Sequence, residues 1–127
     1  MVANLLAHTR LFRAGIARSG SYNKILTAFG FQHETRPLWR APEVYARVSP
    51  FFSADSIKDP LLIVHVASDA NPGTAPIQSE MLYQAVRGNG GRVRLVMLPL
   101  ESHGYRSLES NEHVLSEELD WFDRYVK

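Results

Sequence analysis

The sequence predicts an α/β domain with a mostly parallel sheet flanked by helices, and three features carry that expectation. Leu61-Leu62-Ile63-Val64-His65-Val66 is a continuous apolar run of strand length, as in a parallel strand covered on both faces. Val93 to Leu98 is a second run. Between them Ile77, Met81, Leu82, Ala85 and Val86 recur at helical spacing until Gly88-Asn89-Gly90-Gly91 stops them. Strand, helix and strand in that order form the crossover that parallel pairing requires.

Upstream, Met1 to Arg10 reads as a short helix and Phe12 to Ala17 as a brief strand, bounded by Arg18-Ser19-Gly20-Ser21. Tyr22 to Arg40 has no clear period and is long for a connection, which suits a functional segment or one packed against something. Ala41-Pro42-Glu43 starts a short helix with proline in its first turn, ending before Ser49-Pro50. Near the C-terminus Leu115, Leu119, Phe122 and Val126 share one stripe beside Val114, Trp121 and Tyr125, predicting a wide apolar face docked on the sheet. No internal repeat, low-complexity tract or linker interrupts the chain.

Composition narrows the function. A chain of 127 residues with 45% hydrophobic content can bury a core, and residues 1–127 read as one domain or part of one. Fourteen basic against 13 acidic residues give no field that would favour nucleic acid or an anionic membrane. The absence of cysteine excludes disulfides and cysteine-ligated metal and assigns no compartment. Met1 to Thr9 lacks the basic start of a signal peptide, and no run approaches the roughly 20 residues of a membrane span, so a soluble chain without a targeting segment is expected, its localisation open.

The chemistry sits in two loops. Asp69 follows the first apolar run, and Glu101-Ser102-His103-Gly104-Tyr105 follows the second. Hydrolases of the α/β type set nucleophile, acid and base on turns after successive strands, in the chain order Ser, Asp or Glu, His. Asp69 and His103 are in that order, and one helix and one strand lie between them. They read as two thirds of a catalytic triad whose serine lies upstream. Ser19 lacks the first glycine of a Gly-x-Ser-x-Gly elbow and no helix follows it at once, so it is not assigned as the nucleophile. His65, within a buried-looking strand, reads as a hydrogen-bonded core histidine. His8, His33 and His113 show no metal-ligand spacing, and neither metal nor cofactor is expected.

Phe12-Arg13-Ala14-Gly15-Ile16-Ala17-Arg18-Ser19-Gly20-Ser21-Tyr22-Asn23, the later Ser49-Pro50, Asp69-Ala70-Asn71-Pro72-Gly73-Thr74 and Glu101-Ser102-His103-Gly104-Tyr105 occur in an order that resembles the C-terminal catalytic domain of the prolyl oligopeptidase family of serine peptidases. The likeness is greatest to its glutamyl endopeptidase branch and spans essentially the whole chain. It implies the C-terminal part of an α/β-hydrolase fold, with Met1 a few residues past an absent nucleophile. It carries Asp69 over as triad acid and His103 as general base, and places Ser19 to Asn23 near the substrate cleft. The family usually has glycine after the histidine of the acid-bearing strand, where this chain has Val66.

The mechanism so implied is acyl transfer: serine attacks a peptide carbonyl, His103 takes its proton and returns it to the leaving amine, and Asp69 orients the imidazole. Without the serine the chain alone is expected to be inactive. Among the scattered arginines, Arg18 is the candidate for binding an acidic substrate side chain. The expected partner is a peptide substrate, with no nucleic acid or membrane, and self-association through the truncated sheet edge is expected as well. An esterase of the same fold and a non-catalytic α/β interaction domain remain alternatives.

Overall fold

Leu61–Val66, here β2, is buried at every position, as its unbroken apolar run predicts. The structure is a computed structural model that describes residues 2–31, 34–67, 69, 74–98 and 107–126. β2 pairs in parallel with β1 (Gly15–Arg18) on one side and β3 (Val93–Leu98) on the other, giving a three-stranded sheet in the order β1-β2-β3. The register runs from Leu61 opposite Val93 to Val66 opposite Leu98. Val66 therefore continues the strand in regular pairing where the resembled family has glycine.

Alternation along β2 splits the core between the two faces of the sheet. Leu61 and Ile63 pack with Ala3, Leu6, Leu82 and Val86 of helices α1 (Val2–His8) and α3 (Ile77–Gly88). Leu62, Val64 and Val66 pack on the other side with Val96, Leu98, Val114 and Trp121, the last two from α4 (Leu108–Tyr125). Each fully buried aliphatic side chain of β2 contributes about 1.5–3 kcal/mol over exposure. A non-β-branched polar insertion there would have to bring its own partners.

The helix ends follow from local chemistry. α3 closes with Gly90 at φ 84°, and the Gly91 N–H returns to Val86 O at 2.9 Å. That left-handed residue is the reason the Asn-Gly pair stops the helix. α4 opens on Ser107, whose hydroxyl accepts from the Ser110 N–H at 3.0 Å. Arg94 of β3 forks onto Glu117 of α4 at 2.8 and 2.9 Å, tying helix to strand.

Several expectations change. The first strand is shorter than Phe12 to Ala17, because Phe12 is 44% exposed and pairing starts at Gly15. The aperiodic stretch after Tyr22 holds 3₁₀ turns at Lys24–Thr27 and Leu38–Arg40 and packs on α2 (Pro42–Arg47), where buried Tyr45 donates its hydroxyl to Arg36 O at 2.8 Å. Pro50–Ser56 forms a further 3₁₀ segment that periodicity did not signal. On α3 the covered face is Gln78, Ser79, Leu82 and Val86, whereas Ile77 is 47% exposed. On α4 only Val114 and Trp121 are buried, and the stripe of Leu115, Leu119, Phe122 and Val126 stays exposed. On the three described strands the helix docks by the edge of its apolar arc.

Candidate active site

Parallel strands end on the same side, so Arg18, Val66 and Leu98 close one edge of the sheet. This carboxyl-end edge is where open α/β sheets bind ligands. The link between the second and third strands extends past the ladder, since the Ala67 N–H donates to Leu98 O at 2.9 Å. Asp69 follows directly and donates its own N–H to Val66 O at 3.3 Å.

The Asp69 side chain is fully covered. Its Oδ2 accepts from Thr74 Oγ1 at 3.1 Å and lies 3.2 Å from His65 Nε2. A carboxylate buried this way must be hydrogen-bonded, and these two neighbours lie on the strand before it and the loop after it. It does not cap α3, whose N-cap is Pro76 with no side-chain hydrogen bond. His65 itself is fully buried. Its Nδ1 lies 2.5 Å from Ser79 Oγ and its Nε2 2.6 Å from Thr74 O.

Beside this cluster the segment after β1 is pinned by Gln78. Its Oε1 accepts from the N–H groups of Tyr22 and Asn23 at 3.0 and 2.8 Å, and its Nε2 donates to Asn23 O at 3.1 Å. Asn23 in turn caps the Lys24–Thr27 turn through Oδ1, which accepts from the Ile25 N–H at 3.1 Å. Ser19 has φ 47° and gives its N–H to Val64 O at 2.7 Å. No helix begins there: the next element is the 3₁₀ turn at Lys24, unlike the strand-to-helix elbow that exposes a nucleophile.

Of the sequence-predicted site residues, Asp69 lies at the sheet edge as described. His103, with 99–106 around it, and 70–73 lie outside the described residues. Arg18 ends β1 and extends toward α4, its Nη1 3.5 Å from Glu118 Oε1, with its side chain half exposed. His65, Ser79, Thr74 and Gln78 were not foreseen as part of the site. Their one signal was polarity in the wrong place: a histidine inside an apolar run, and a Gln-Ser pair one turn before the buried Leu82.

A buried, donor-held aspartate thus lies just past the central strand of an α/β sheet. Residues 1–127 match the prolyl oligopeptidase family over their whole length, and the chain belongs to that family. It is 54% identical over 126 residues to "Probable glutamyl endopeptidase, chloroplastic" of Arabidopsis thaliana, covering 98% of this chain and 13% of that protein. The chain thus spans about an eighth of that relative's length. Among solved structures, the acylaminoacyl peptidase of Pyrococcus horikoshii superposes with a TM-score of 0.74 at 27% identity, over 94% of this chain and 21% of that one. A puromycin hydrolase mutant complexed with PGG superposes with a TM-score of 0.83 at 24% identity, over 96% and 20% respectively, a likeness of fold. Both the Arabidopsis relative and the Pyrococcus structure carry peptidase names, and the chain shares their fold and family.

Proposed function

We propose that residues 1–127 are the C-terminal portion of a serine-peptidase catalytic domain and supply its acid, Asp69, and its base, His103, to a serine carried by the preceding part of the domain. The observation that carries this reading is the buried Asp69 carboxylate, held by two donors at the carboxyl edge of the central strand, in a chain of this family. A carboxylate so placed can accept from an imidazole N–H, fix its tautomer and stabilise the imidazolium formed when serine attacks a peptide carbonyl. His103 would then return that proton to the leaving amine as the acyl-enzyme forms, and water would release the acyl group by the reverse path. The 54% identical relative's name supports a preference for glutamyl bonds, with Arg18 at the end of β1, exchanging Glu118 for substrate, as the group to bind the acidic side chain.

The test is a chimera in which this chain replaces the matching 126-residue segment of the Arabidopsis protein. It should hydrolyse peptides with glutamate before the scissile bond, and Asp69→Asn and His103→Ala should each lower kcat by about 10⁴-fold. An inert chimera, or full activity in Asp69→Asn, would sink the reading. Turnover of matched esters without peptides would favour an esterase. The 127-residue chain alone should resist labelling by a fluorophosphonate probe; stoichiometric labelling at Ser19 or Ser21 would reassign the nucleophile.

A further inference from the structure

A histidine within an aliphatic strand is costly to bury unless both ring nitrogens are partnered. Those of His65 are. Nε2 faces Thr74 O at 2.6 Å and Asp69 Oδ2 at 3.2 Å, while Nδ1 faces Ser79 Oγ at 2.5 Å. A peptide carbonyl and a carboxylate oxygen only accept, so these partners place a proton on Nε2, while Nδ1 pairs with the Ser79 hydroxyl, which can donate or accept. Ser79 is fully buried on the first turn of α3, and the ring is therefore gripped between helix and loop.

We infer that His65 is a positioning residue for Asp69: its Nε2–H, together with Thr74, fixes the rotation of the acid's carboxylate, while Ser79 holds the far side of the ring. This rests on Asp69 being the triad acid. The last torsion of an aspartate is broad, so a carboxylate held at one point can swing. Two donors on the same oxygen restrict that freedom: from the strand side His65 Nε2–H, a proton shared with the nearer Thr74 O, and from the loop side Thr74 Oγ1–H. Oδ1 then has one orientation in which to receive the base. The hydrogen bond from Nε2 to Thr74 O adds a second fixed point, because it anchors the loop end that carries the other donor. His65 touches no reacting atom in this scheme and acts wholly through Asp69.

The experiment uses the active chimera with four substitutions: His65→Gln, which can offer an amide N–H near the Nε2 position, His65→Met, which cannot, Thr74→Val and Asp69→Asn. Loss of an outer partner of this kind should lower kcat about 10- to 100-fold in His65→Met, and less in Thr74→Val, with KM unchanged. His65→Gln should recover most of the loss. In the Asp69→Asn background, His65→Met should add nothing further, the signature of action through a shared residue. Full kcat in both His65→Met and Thr74→Val, with Asp69→Asn impaired, would overturn the positioning role and leave the triad standing. Equal losses in His65→Gln and His65→Met that follow a lowered Tm, with Thr74→Val unaffected, would make His65 a packing residue only. Full activity in Asp69→Asn would remove the triad reading itself.

Discussion

Gln78 reads the backbone of Asn23 as a second strand would, accepting its N–H at 2.8 Å and donating to its carbonyl at 3.1 Å across 55 positions of chain. The same Oε1 also takes the Tyr22 N–H at 3.0 Å. One buried side chain thereby fastens the segment after β1 to the first turn of α3, beside the Asp69 cluster.

The first prediction follows. Gln78→Leu fills the space and leaves two N–H groups and a carbonyl without their partner, and each buried orphan costs about 1–3 kcal/mol. Urea unfolding should show a loss of about 3 kcal/mol or more. Gln78→Glu keeps the acceptor and should be the milder change above the carboxyl's pKa. A loss below about 0.5 kcal/mol in Gln78→Leu would mean that water replaces the amide.

How much of this was legible in the sequence depended on whether the signal was periodic. The run Leu61 to Val66 declared a buried parallel strand, and Asn89-Gly90 declared the end of α3, because burial on both faces and a positive φ each restrict residue type strongly. Asp69 was singled out by its order relative to the strand. Ser79 and Gln78 were not, since a polar residue on a helix reads as solvent-facing until its partner is known, and their partners are 14 and 55 positions away. The α4 stripe misled for a related reason: apolarity shows that a face wants cover, not which element covers it.

The second prediction concerns Arg94 and Glu117. The Arg94 hydrogen bonds hold the Glu117 carboxyl below its ordinary value of 4.5 against the opposing effect of its partial burial, with the charges of Arg94, His113 and Arg124 assisting. A depressed carboxylate stabilises the fold fully above its unfolded value, and the contribution is lost as pH falls through the folded one. Arg94 is about half exposed, so screening limits the pair to about 0.5–1 kcal/mol. Glu117→Gln should therefore cost about that much near neutrality and nothing once the carboxylate of the parent is protonated. Denaturation curves at both pH values decide it; an equal deficit at both would assign the loss to packing.

The third prediction is a titration. Glu34 accepts from Arg36 Nε and Nη2 at 2.9 Å each and from the Arg36 N–H at 2.9 Å, which together hold its carboxyl down to about 2. The side-chain hydrogen bond is the largest cause and the backbone one next. Carbon-detected NMR should find Glu34 titrating near that value, and Arg36→Ala should move it up toward 4.5. Because the folded value is depressed, this turn should loosen only as pH falls from 4.5 through about 2. A Glu34 that titrates with the other glutamates would show that the pair does not persist in solution.

The last prediction is that the 127-residue chain on its own associates through α4 and the open side of β1. Leu115, Leu119, Phe122 and Val126 are 56, 57, 43 and 41% exposed on one helix row. Phe122 also lines an apolar cleft of about 250 Å³ with Leu5, Phe12 and Ile16, at the strand that has no second neighbour among the described residues. An apolar row beside an unpaired strand edge offers both contact area and backbone hydrogen bonds to a second copy. The other sheet edge is different: Arg92 directly precedes β3 and Arg94 lies within it, the kind of charge that discourages strand addition. Association should therefore be confined to the β1 side. Light scattering at about micromolar concentration and above should show concentration-dependent growth. Leu115→Glu with Leu119→Glu should suppress it without lowering Tm, since neither leucine is buried in the monomer. A monodisperse parent chain, or a double variant that associates as before, would show that this face is not what brings copies together.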